Sequence, residues 1–459
     1  MPLRRQSKPT APWLLAGLLL VLLGIEALWL FSQPTLLGHD DALFFARGIE
    51  RFSVLEFSPH FPGYPGLIGL GRLVQPFCDT PTEALLLVSR IAVLLLPLLS
   101  GVLLYCLGRS IPLALAGALL CALQPLLLGL GPVGLSDGPG LVALIATLVC
   151  WSQRRDRLAG LLLALTLCIR PGYAPLLAGP LCWLWIYRRD SLKSLLAPVC
   201  GVGVAALGFV YWHDGNAYFI EGLRFIQGHF QIWGNTALNE NPRSWSDAVT
   251  RLFHPHPGLP LYWPLLLGIA LPWCWRQRRQ PCGLLLATLV AALAWTLPFQ
   301  NPDNLRHLAA PLLLSLLLLC LWSHSLPSRY RYISLGVVFG ASLILCQSQL
   351  IVKPMAPPIQ QAIEHIAPYS ASSVSANRPA LLSSNRGVSL LRQQLPQVAV
   401  NDSFLPGSRE RVLGRGGMLL SASKPAPEQV SRYQLLASFP ARSPAEAPLF
   451  LFSRPDQPQ

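Results

Sequence analysis

The polar stretch at residues 38–48 reads GHDDALFFARG, and a second stretch, SPHFPGYP, follows at residues 58–65. Helical spacing places apolar side chains on one side of a helix that begins near Asp40 and charged side chains on the other. The apolar side holds Phe44, Phe45, Gly48, Ile49 and Phe52, and the charged side holds Arg47, Glu50 and Arg51. Because this helix follows a long apolar run, we expect it to lie flat on a bilayer, with Asp40 and Asp41 at the membrane surface.

The composition is that of a protein embedded in a membrane. Of the 459 residues, 52% are hydrophobic and only 12% are charged, and the mean hydropathy is +0.46. A soluble domain carries about 25% charged residues. Because lipid cannot satisfy exposed backbone polar groups, the predicted fold class is an all-α polytopic membrane protein.

Apolar runs of about 20 residues predict roughly eleven transmembrane helices. The expected spans are Pro12–Phe31, Ala84–Gly108, Pro112–Gly131, Gly138–Trp151, Leu158–Ile169, Ala174–Tyr187, Leu195–Trp212, Leu259–Trp275, Gly283–Phe299, Leu308–Ser323 and Ile333–Val352. The two spans beside Arg170-Pro171 are short, so they are either two short helices or one broken helix. The first span follows Arg4 and Arg5 without a small-residue cleavage site after it, which is typical of a signal anchor.

The net charge of +14 follows the predicted topology and does not indicate a nucleic-acid partner. With an odd number of spans, alternate short loops are basic, as cytoplasmic loops are. These loops hold Arg4, Arg5 and Lys8; Arg109; Arg154, Arg155 and Arg157; Arg188, Arg189 and Lys193; Arg276, Arg278 and Arg279; and Arg329 and Arg331. We therefore expect the N-terminus in the cytoplasm of a bacterial inner membrane, and the loops 32–83 and 213–258 on the periplasmic face.

The segment 353–459 differs in kind from the transmembrane domain expected at 1–352. It is rich in Pro and Ser, with strand-like runs at Ala380–Ser383, Met418–Ser421, Tyr433–Phe439 and Leu449–Phe452 and helix-like stretches at Ile359–Ile366 and Val388–Leu395. These patterns predict a small C-terminal α/β domain on the periplasmic side.

Asp40 and Asp41 are the first candidates for chemistry. A carboxylate within hydrogen-bond distance of an acceptor hydroxyl takes its proton as the hydroxyl attacks, and paired carboxylates also favour a divalent cation. The structural alternative is that Asp40 is the helix N-cap and Asp41 a first-turn acid favoured by the helix dipole. Ser136-Asp137 precedes a span in the same way, either as a helix cap or as a second polar contact beside the first loop.

Basic residues near the exterior ends of spans are candidates for contacts with phosphate. Arg90 lies inside a span at a depth similar to that of Glu26, and it either pairs with Glu26 or contacts a lipid phosphate. Arg170 and Arg306-His307 lie at exterior span ends. An arginine there either holds phosphate through paired hydrogen bonds or snorkels to the interface.

Together these motifs resemble the GT-C superfamily of integral-membrane glycosyltransferases, most of all the bacterial relatives of protein O-mannosyltransferases and lipid A aminoarabinose transferases. The similarity covers most of Leu14 to Leu319 and rests on the order of its motifs. They are the acidic pair Asp40-Asp41, Phe44 and Ala46 on the helix that follows, the His60–Pro65 segment, the Ser136-Asp137 turn and Arg170-Pro171. The His60–Pro65 segment is also similar to the Phe-Pro-x-Tyr-Pro stretch of membrane mannosyltransferases that build glycolipid anchors.

The resemblance implies an inverting glycosyltransferase that takes a sugar, such as mannose or aminoarabinose, from a polyprenyl-phosphate donor. Asp40 matches the catalytic acid and Asp41 its neighbour, but many relatives carry Asp-Glu there, so either is the base. His60 and Tyr64 lie in the segment expected to bind substrate. That segment differs from the Pro-Pro-Leu sequence of many relatives, so the resemblance does not determine which sugar the donor carries. We expect that the reaction requires no cofactor. The alternative is that Asp40 and Asp41 bind a divalent metal, Mg²⁺ or Mn²⁺.

The sequence does not determine whether the acceptor hydroxyl belongs to a lipid, a glycan or a protein. The rival function is a transporter or flippase for a lipid-linked substrate. Transporters commonly show paired halves and midplane charges. This sequence shows neither an internal repeat nor midplane clustering, because its polar residues gather at the exterior ends of spans, which favours an enzyme.

Overall fold

The computed structural model describes residues 12–232, 244–246, 262–375, 380–405, 407–424 and 432–455. Most of these residues are helical, and the strands are confined to the last quarter of the chain. Part of the loop predicted at 213–258 forms a helix, Ala217–Ile232, whereas 233–243 and 247–261 lie outside the described residues.

Eighteen helices follow one another in the described chain. They are α1 (Pro12–Ser32), α2 (Asp40–Glu50), α3 (Pro65–Val74), α4 (Pro81–Gly108), α5 (Ile111–Ala122), α6 (Pro125–Leu128), α7 (Asp137–Ser152), α8 (Asp156–Ile169), α9 (Ala174–Tyr187), α10 (Arg189–Asp214), α11 (Ala217–Ile232), α12 (Tyr262–Arg276), α13 (Cys282–Phe299), α14 (Ala309–Ser325), α15 (Ser328–Leu350), α16 (Pro358–Ser375), α17 (Val388–Gln394) and α18 (Ser408–Gly414). Short 3₁₀ turns lie at Gln75–Phe77, Pro171–Tyr173 and Leu305–Leu308.

Six of the described helices are long and apolar enough to cross a membrane: α1, α4, α10, α13, α14 with the 3₁₀ turn before it, and α15. The helices α5 and α7 are apolar but shorter. The chain is therefore a multi-pass membrane protein, and the predicted number of eleven spans is not confirmed.

Prolines divide the apolar segments at two places. The run 112–131 divides into α5 and α6 at Gln124-Pro125, because proline lacks the N–H that would continue the helix and disfavours the helical conformation of the residue before it. At Arg170-Pro171 the chain forms two short helices separated by a 3₁₀ turn, which is one of the two arrangements that we expected.

The helix α2 begins at Asp40, but its N-cap is His39 and not Asp40. The Nδ1 atom of His39 accepts a hydrogen bond from the Asp41 N–H at 3.1 Å, which satisfies one of the free N–H groups of the first turn. This cap leaves the carboxylate of Asp40 available for another partner.

The apolar side of α2 packs against protein, so the expectation that it faces lipid is wrong. Phe45 and Ile49 are each 2% exposed, and α3 and α4 cover them. Gly48 permits this close approach, because a Cβ atom at this position would lie 2.7 Å from the Pro59 ring. The short helix is thereby fixed in place directly after the first membrane helix.

The C-terminal region contains a five-stranded sheet in the order β2-β1-β3-β5-β4. The strands are β1 (Ala380–Ser384), β2 (Val398–Asp402), β3 (Met418–Ser421), β4 (Gln434–Phe439) and β5 (Leu449–Ser453). The first three pair in parallel, with Leu382 opposite Val400 and Met418, and the last two join antiparallel. The predicted mixture of helices and strands is confirmed in this region.

The C-terminal sheet and the first loop share one apolar core. Leu43 of α2 and Leu390 of α17 are buried in the same cluster, together with Leu420 of β3. The Nε2 atom of Gln360 also donates to the Leu37 carbonyl oxygen at 2.9 Å. These contacts hold the C-terminal region against the polar end of the membrane helices.

Candidate active site

A cavity of about 800 Å³ lies where the first loop, the turns near 136, 170 and 300–307, and the C-terminal region meet. Most of the predicted site residues line it: Asp40, Asp41, His60, Tyr64, Ser136, Arg170, Arg306 and His307. The remaining acidic candidate, Asp137, lies directly behind the wall and is 1% exposed. Residues far apart in sequence therefore meet at one polar site.

Arg90 lies outside this cavity. Its Nη2 atom donates to the Gln33 carbonyl oxygen at 3.0 Å, and its guanidinium lies 5.6 Å from the centre of the Phe31 ring. Glu26 is buried in α1 and forms no ion pair with Arg90, although the structure describes both residues. The predicted ion pair between Glu26 and Arg90 is therefore not formed, and Arg90 is not among the residues that line the cavity.

Four side chains of alternating charge form a continuous chain along one wall of the cavity. The Oδ2 atom of Asp41 lies 3.3 Å from Nη2 of Arg306, and Nη1 of Arg306 lies 3.7 Å from Oδ2 of Asp137. The Oδ1 atom of Asp137 lies 2.7 Å from Nη2 of Arg170. We call these four residues the ionic chain. Arg306 links the pair Asp137–Arg170 to Asp41 of the first loop.

The local sequence explains how Arg170 reaches this position. The helix α8 ends at Ile169 because Pro171 follows, which turns the Arg170 side chain toward the start of α7. There its Nη1 atom donates to Ser136 Oγ at 2.8 Å. A Cβ atom on Gly140 would lie 2.9 Å from the Arg170 Cβ, so the glycine makes room for the arginine.

The Ser136-Asp137 turn does not form the side-chain cap that its sequence predicts. The helix α7 begins at Asp137, and the Ser136 side chain makes no capping hydrogen bond. The Ser136 hydroxyl accepts from Arg170 instead, and the Asp137 carboxylate pairs with two arginines. The alternative interpretation, a second polar contact beside the first loop, describes the observed geometry.

Asp40 points toward the C-terminal region. Its Oδ1 atom accepts hydrogen bonds from the backbone N–H groups of Ser389 at 3.1 Å and Leu390 at 3.0 Å. Burial raises the pKa of Asp40 to about 6, and these two hydrogen bonds oppose only part of that effect. Asp40 therefore stands at the junction between α2 and α17.

Asp41 has a different environment although it is the next residue. Burial alone raises the pKa of Asp41, but the nearby His39, His60 and Arg306 outweigh it and hold that pKa well below its usual range. Burial also lowers the pKa of His39 to about 4, so its imidazole is neutral near pH 7. Although His39 Nδ1 lies 3.4 Å from Asp41 Oδ2, Arg306 is consequently the charged partner of Asp41.

Aromatic rings form a second wall of the cavity, beside the ionic chain. The Phe45 and Tyr64 rings lie 4.8 Å apart edge to face, and the His60 ring stacks against Phe225 at 5.9 Å. Burial raises the pKa of Tyr64 to about 12, so its hydroxyl keeps its proton and can donate a hydrogen bond into the cavity. The cavity thus combines charged side chains with aromatic ones.

The acidic side chains do not form a ready site for a divalent cation. Asp41 pairs with Arg306, Asp137 pairs with two arginines, and Asp40 accepts backbone N–H groups. Among the residues described, no three His, Cys, Asp or Glu side chains are placed to hold a metal ion. A cation at the aspartate pair would have to compete with the Arg306 guanidinium, which is already paired with Asp41.

Sequence reasoning named none of the residues of the C-terminal region that line the cavity. Asn385, Arg386, Ser389 and Arg392 all line it. The Nη1 atom of Arg386 donates at 2.8 Å to Oδ1 of Asn304, in the turn that carries Arg306. No local pattern in the sequence indicates this contact, because its partners lie 82 residues apart.

Comparison with known proteins finds solved structures of similar fold. No protein-family model and no curated protein sequence match the chain. The structure is similar to ArnT from Cupriavidus metallidurans bound to undecaprenyl phosphate, with 13% identity and a TM-score of 0.52, over 98% of this chain and 100% of that one.

Two structures of the Archaeoglobus fulgidus oligosaccharyltransferase are also similar, each with 13% identity. The complex of AglB with an inhibitory peptide and a dolichol-phosphate gives a TM-score of 0.52 over 97% of this chain and 75% of that one. The apo form gives 0.51 over 87% of this chain, which spans only 65% of the length of that protein. This chain therefore shares the fold of ArnT and of the oligosaccharyltransferase, in agreement with the resemblance of its motifs to the GT-C superfamily.

Proposed function

We propose that this protein is an inverting glycosyltransferase that moves a sugar from a polyprenyl-phosphate donor to an acceptor hydroxyl. The observation that carries this proposal is Asp41 and Asp137 sharing Arg306 on the wall of a cavity of about 800 Å³. Such a wall offers both a carboxylate for a proton and arginines for a phosphate. The similar folds of ArnT, solved with undecaprenyl phosphate, and AglB, solved with a dolichol-phosphate, support a lipid-phosphate donor.

In the proposed reaction, a carboxylate of the pair Asp40-Asp41 accepts the proton of the acceptor hydroxyl. The acceptor oxygen forms a bond to the anomeric carbon of the sugar as the bond from that carbon to the phosphate oxygen breaks. The electron pair of the broken bond stays on the phosphate oxygen, and the leaving group is free polyprenyl phosphate. Attack from the side opposite the leaving group inverts the configuration at the anomeric carbon.

Arg306 and Arg170 stabilise the departing phosphate. Negative charge grows on the phosphate oxygens as the sugar leaves, and fixed guanidinium groups lower the energy of that state. The contacts of Arg306 with Asp41 and Asp137, at 3.3 and 3.7 Å, are longer than a close ionic hydrogen bond. A phosphate group can therefore draw Arg306 away from Asp41. That movement leaves Asp41 without its cationic partner and makes it a stronger base.

The aromatic wall positions the sugar. Tyr64 offers a protonated hydroxyl, and His60 and His307 also face the cavity. Hydrogen bonds from these groups to sugar hydroxyls would orient the anomeric carbon toward the acceptor. The sugar class of the proposal is a hexose such as mannose or an aminoarabinose, and the acceptor is a lipid, a glycan or a protein.

We place the reaction at the periplasmic face of a bacterial inner membrane. Short basic loops favour a cytoplasmic N-terminus, which puts the loop 32–83 and the C-terminal domain, 353–459, on the other side. The transmembrane domain, 1–352, then meets its donor by lateral diffusion in the bilayer. A water-facing acceptor reaches the same cavity from the C-terminal side.

The test is turnover of a radiolabelled polyprenyl-phosphate sugar by the purified full-length protein in lipid vesicles. Wild type is expected to release free polyprenyl phosphate and to transfer the label to an acceptor. The double variant Asp40→Asn, Asp41→Asn is expected to do neither while keeping its thermal stability. Full transfer by a folded double variant would contradict the mechanism. Movement of intact donor between leaflets, equal in both proteins, would instead identify a flippase.

A further inference from the structure

We propose that the two adjacent aspartates have different roles: Asp41 takes the acceptor proton, and Asp40 is a positioning residue that seats α17 as the C-terminal wall of the cavity. The activity measurements below rest on the proposed transferase reaction, whereas the docking measurement does not. The argument starts from helix geometry, because consecutive side chains on an α-helix point about 100° apart. The two neighbouring carboxylates therefore leave the helix in different directions, and in this structure they have different partners.

Asp40 is held by backbone groups. One oxygen, Oδ1, accepts the N–H groups of Ser389 and Leu390, both in the first turn of α17. These N–H groups have no partner within their own helix, and no side chain of the residue before α17 caps them. The carboxylate of Asp40 therefore serves as the cap of a helix that lies about 350 residues later in the chain.

A second contact lies further along the same pair of helices. The Nη2 atom of Arg47 donates to Gln393 Oε1 at 2.9 Å. Residues 40 and 47 are about two helical turns apart and so lie on one side of α2, while Ser389 and Gln393 lie about one turn apart on α17. The two helices thus run side by side with polar contacts at both ends.

Seating α17 also places the residues that line the cavity. Asn385 and Arg386 lie in the turn just before α17, and Ser389 and Arg392 lie on it. Through its hydrogen bond to Asn304, Arg386 joins this wall to the turn that carries Arg306. A loss of the Asp40 contact would therefore open one wall and loosen the arginine on which the phosphate contact depends.

Asp41 is oriented into the cavity. Its carboxylate lies 3.3 Å from Arg306 in the ionic chain, and it lines the cavity beside His60 and Tyr64. An incoming phosphate competes for Arg306, so the state of Asp41 depends on whether the donor is bound. The hydrogen bonds of Asp40 to backbone N–H groups involve no such exchange.

Three variants of the full-length protein in lipid separate the two roles: Asp40→Asn, Asp40→Ala and Asp41→Asn. Two quantities are measured on each: transfer from the labelled donor, and hydrogen–deuterium exchange of the amides at 388–394 without substrate. An amide oxygen at position 40 still accepts both N–H groups, whereas alanine offers no acceptor. Asp40→Asn should therefore keep the exchange rate and retain transfer to within about threefold of wild type, since it loses only the charge of the cap.

Asp40→Ala should speed amide exchange at 388–394 by about tenfold, because an N-cap contributes about 1–2 kcal/mol. It should also lower transfer by about tenfold or more, because misplaced site residues slow the chemical step. Asp41→Asn should leave exchange unchanged and lower transfer by at least about 100-fold, as expected for a lost general base.

Two results would overturn the inference. Loss of transfer in Asp40→Asn with normal amide exchange would make Asp40 the base. Normal exchange in Asp40→Ala would show that Asp40 does not hold α17. If wild type itself transfers no sugar, the proposed reaction fails and the role of Asp41 fails with it. The exchange comparison between Asp40→Asn and Asp40→Ala still decides the role of Asp40 in that case.

Discussion

The two walls of the cavity are held by different kinds of contact. On the membrane side, charged side chains hold one another, as Arg306 does between Asp41 and Asp137. On the C-terminal side, side chains also bind backbone groups, as Asp40 does at α17 and Gln360 does at Leu37, beside the side-chain contact between Arg386 and Asn304. An arginine in an ion pair can exchange its carboxylate partner for a phosphate, whereas a hydrogen bond to a backbone group holds a segment in one position. The first wall is thus suited to chemistry and the second to shape.

The largest effect is expected from removing the arginine that both carboxylates share. Arg306→Gln should lower kcat for transfer by about 10²–10³-fold, as is usual when one donor that stabilises developing charge is lost. The lysine variant Arg306→Lys keeps the charge but not the paired geometry and should be intermediate. Kinetics with the labelled donor measure both variants. If Arg306→Gln is as active as wild type, Arg306 does not stabilise the departing phosphate.

The next effect concerns the buried centre of the ionic chain. Asp137→Asn leaves two buried guanidinium groups, of Arg170 and Arg306, without their shared anion. Breaking a buried pair costs about 3–5 kcal/mol, so thermal unfolding in detergent should move to a lower temperature, with transfer reduced about 100-fold. The exposed Asp79→Asn is the matched control and should change neither. If Asp137→Asn unfolds at the same temperature as wild type, the ionic chain does not stabilise the fold.

A smaller effect is expected at the C-terminal wall. Arg386→Gln removes the charge from the contact with Asn304, which lies in the turn that carries Arg306. A hydrogen bond with a charged partner contributes about 1.5 kcal/mol, so kcat/KM should fall about tenfold. The exposed Arg415→Gln controls for net charge in the same region. Equal activity of the two variants would mean that this wall does not shape the site.

The smallest expected change is in the pH dependence, and it sharpens the contrast between the two aspartates. The pKa of Asp41 lies well below its usual range, so Asp41 stays ionised as the pH falls from 8 to 5. The pKa of Asp40 is about 6, so Asp40 takes up a proton in that interval. With Asp41 as base, kcat/KM, which reports the free enzyme, should change less than about twofold. A tenfold fall for each pH unit below 6 would assign the base to Asp40.

Much of the site could be predicted because polar residues at the ends of apolar helices must collect on one side of a membrane. Asp41, Ser136, Arg170 and Arg306 were located in this way, and all four line the cavity. Their partners could not be read from the sequence. One alternative made Asp40 the cap of α2, but the neighbouring His39 provides that cap, because an imidazole nitrogen also accepts an N–H group.

The C-terminal wall was the least predictable part. Four of the five strands were expected, but β2 was missed because its short run Val398–Asp402 is polar at its end and follows Leu395-Pro396 closely. Position 386 carries an arginine between Asn385 and Gly387, which alone predicts only a turn. Its role depends on Asn304, and only the folded chain brings that residue near.

The most direct test of the account is the configuration of the transferred sugar, determined by NMR on the product of the purified protein with a donor of known anomer. We expect free polyprenyl phosphate and a product of inverted configuration from wild type, and neither from Asp41→Asn. A product of retained configuration would contradict a single displacement assisted by one carboxylate. Uncleaved donor carried across the bilayer equally by both proteins would contradict the transferase itself.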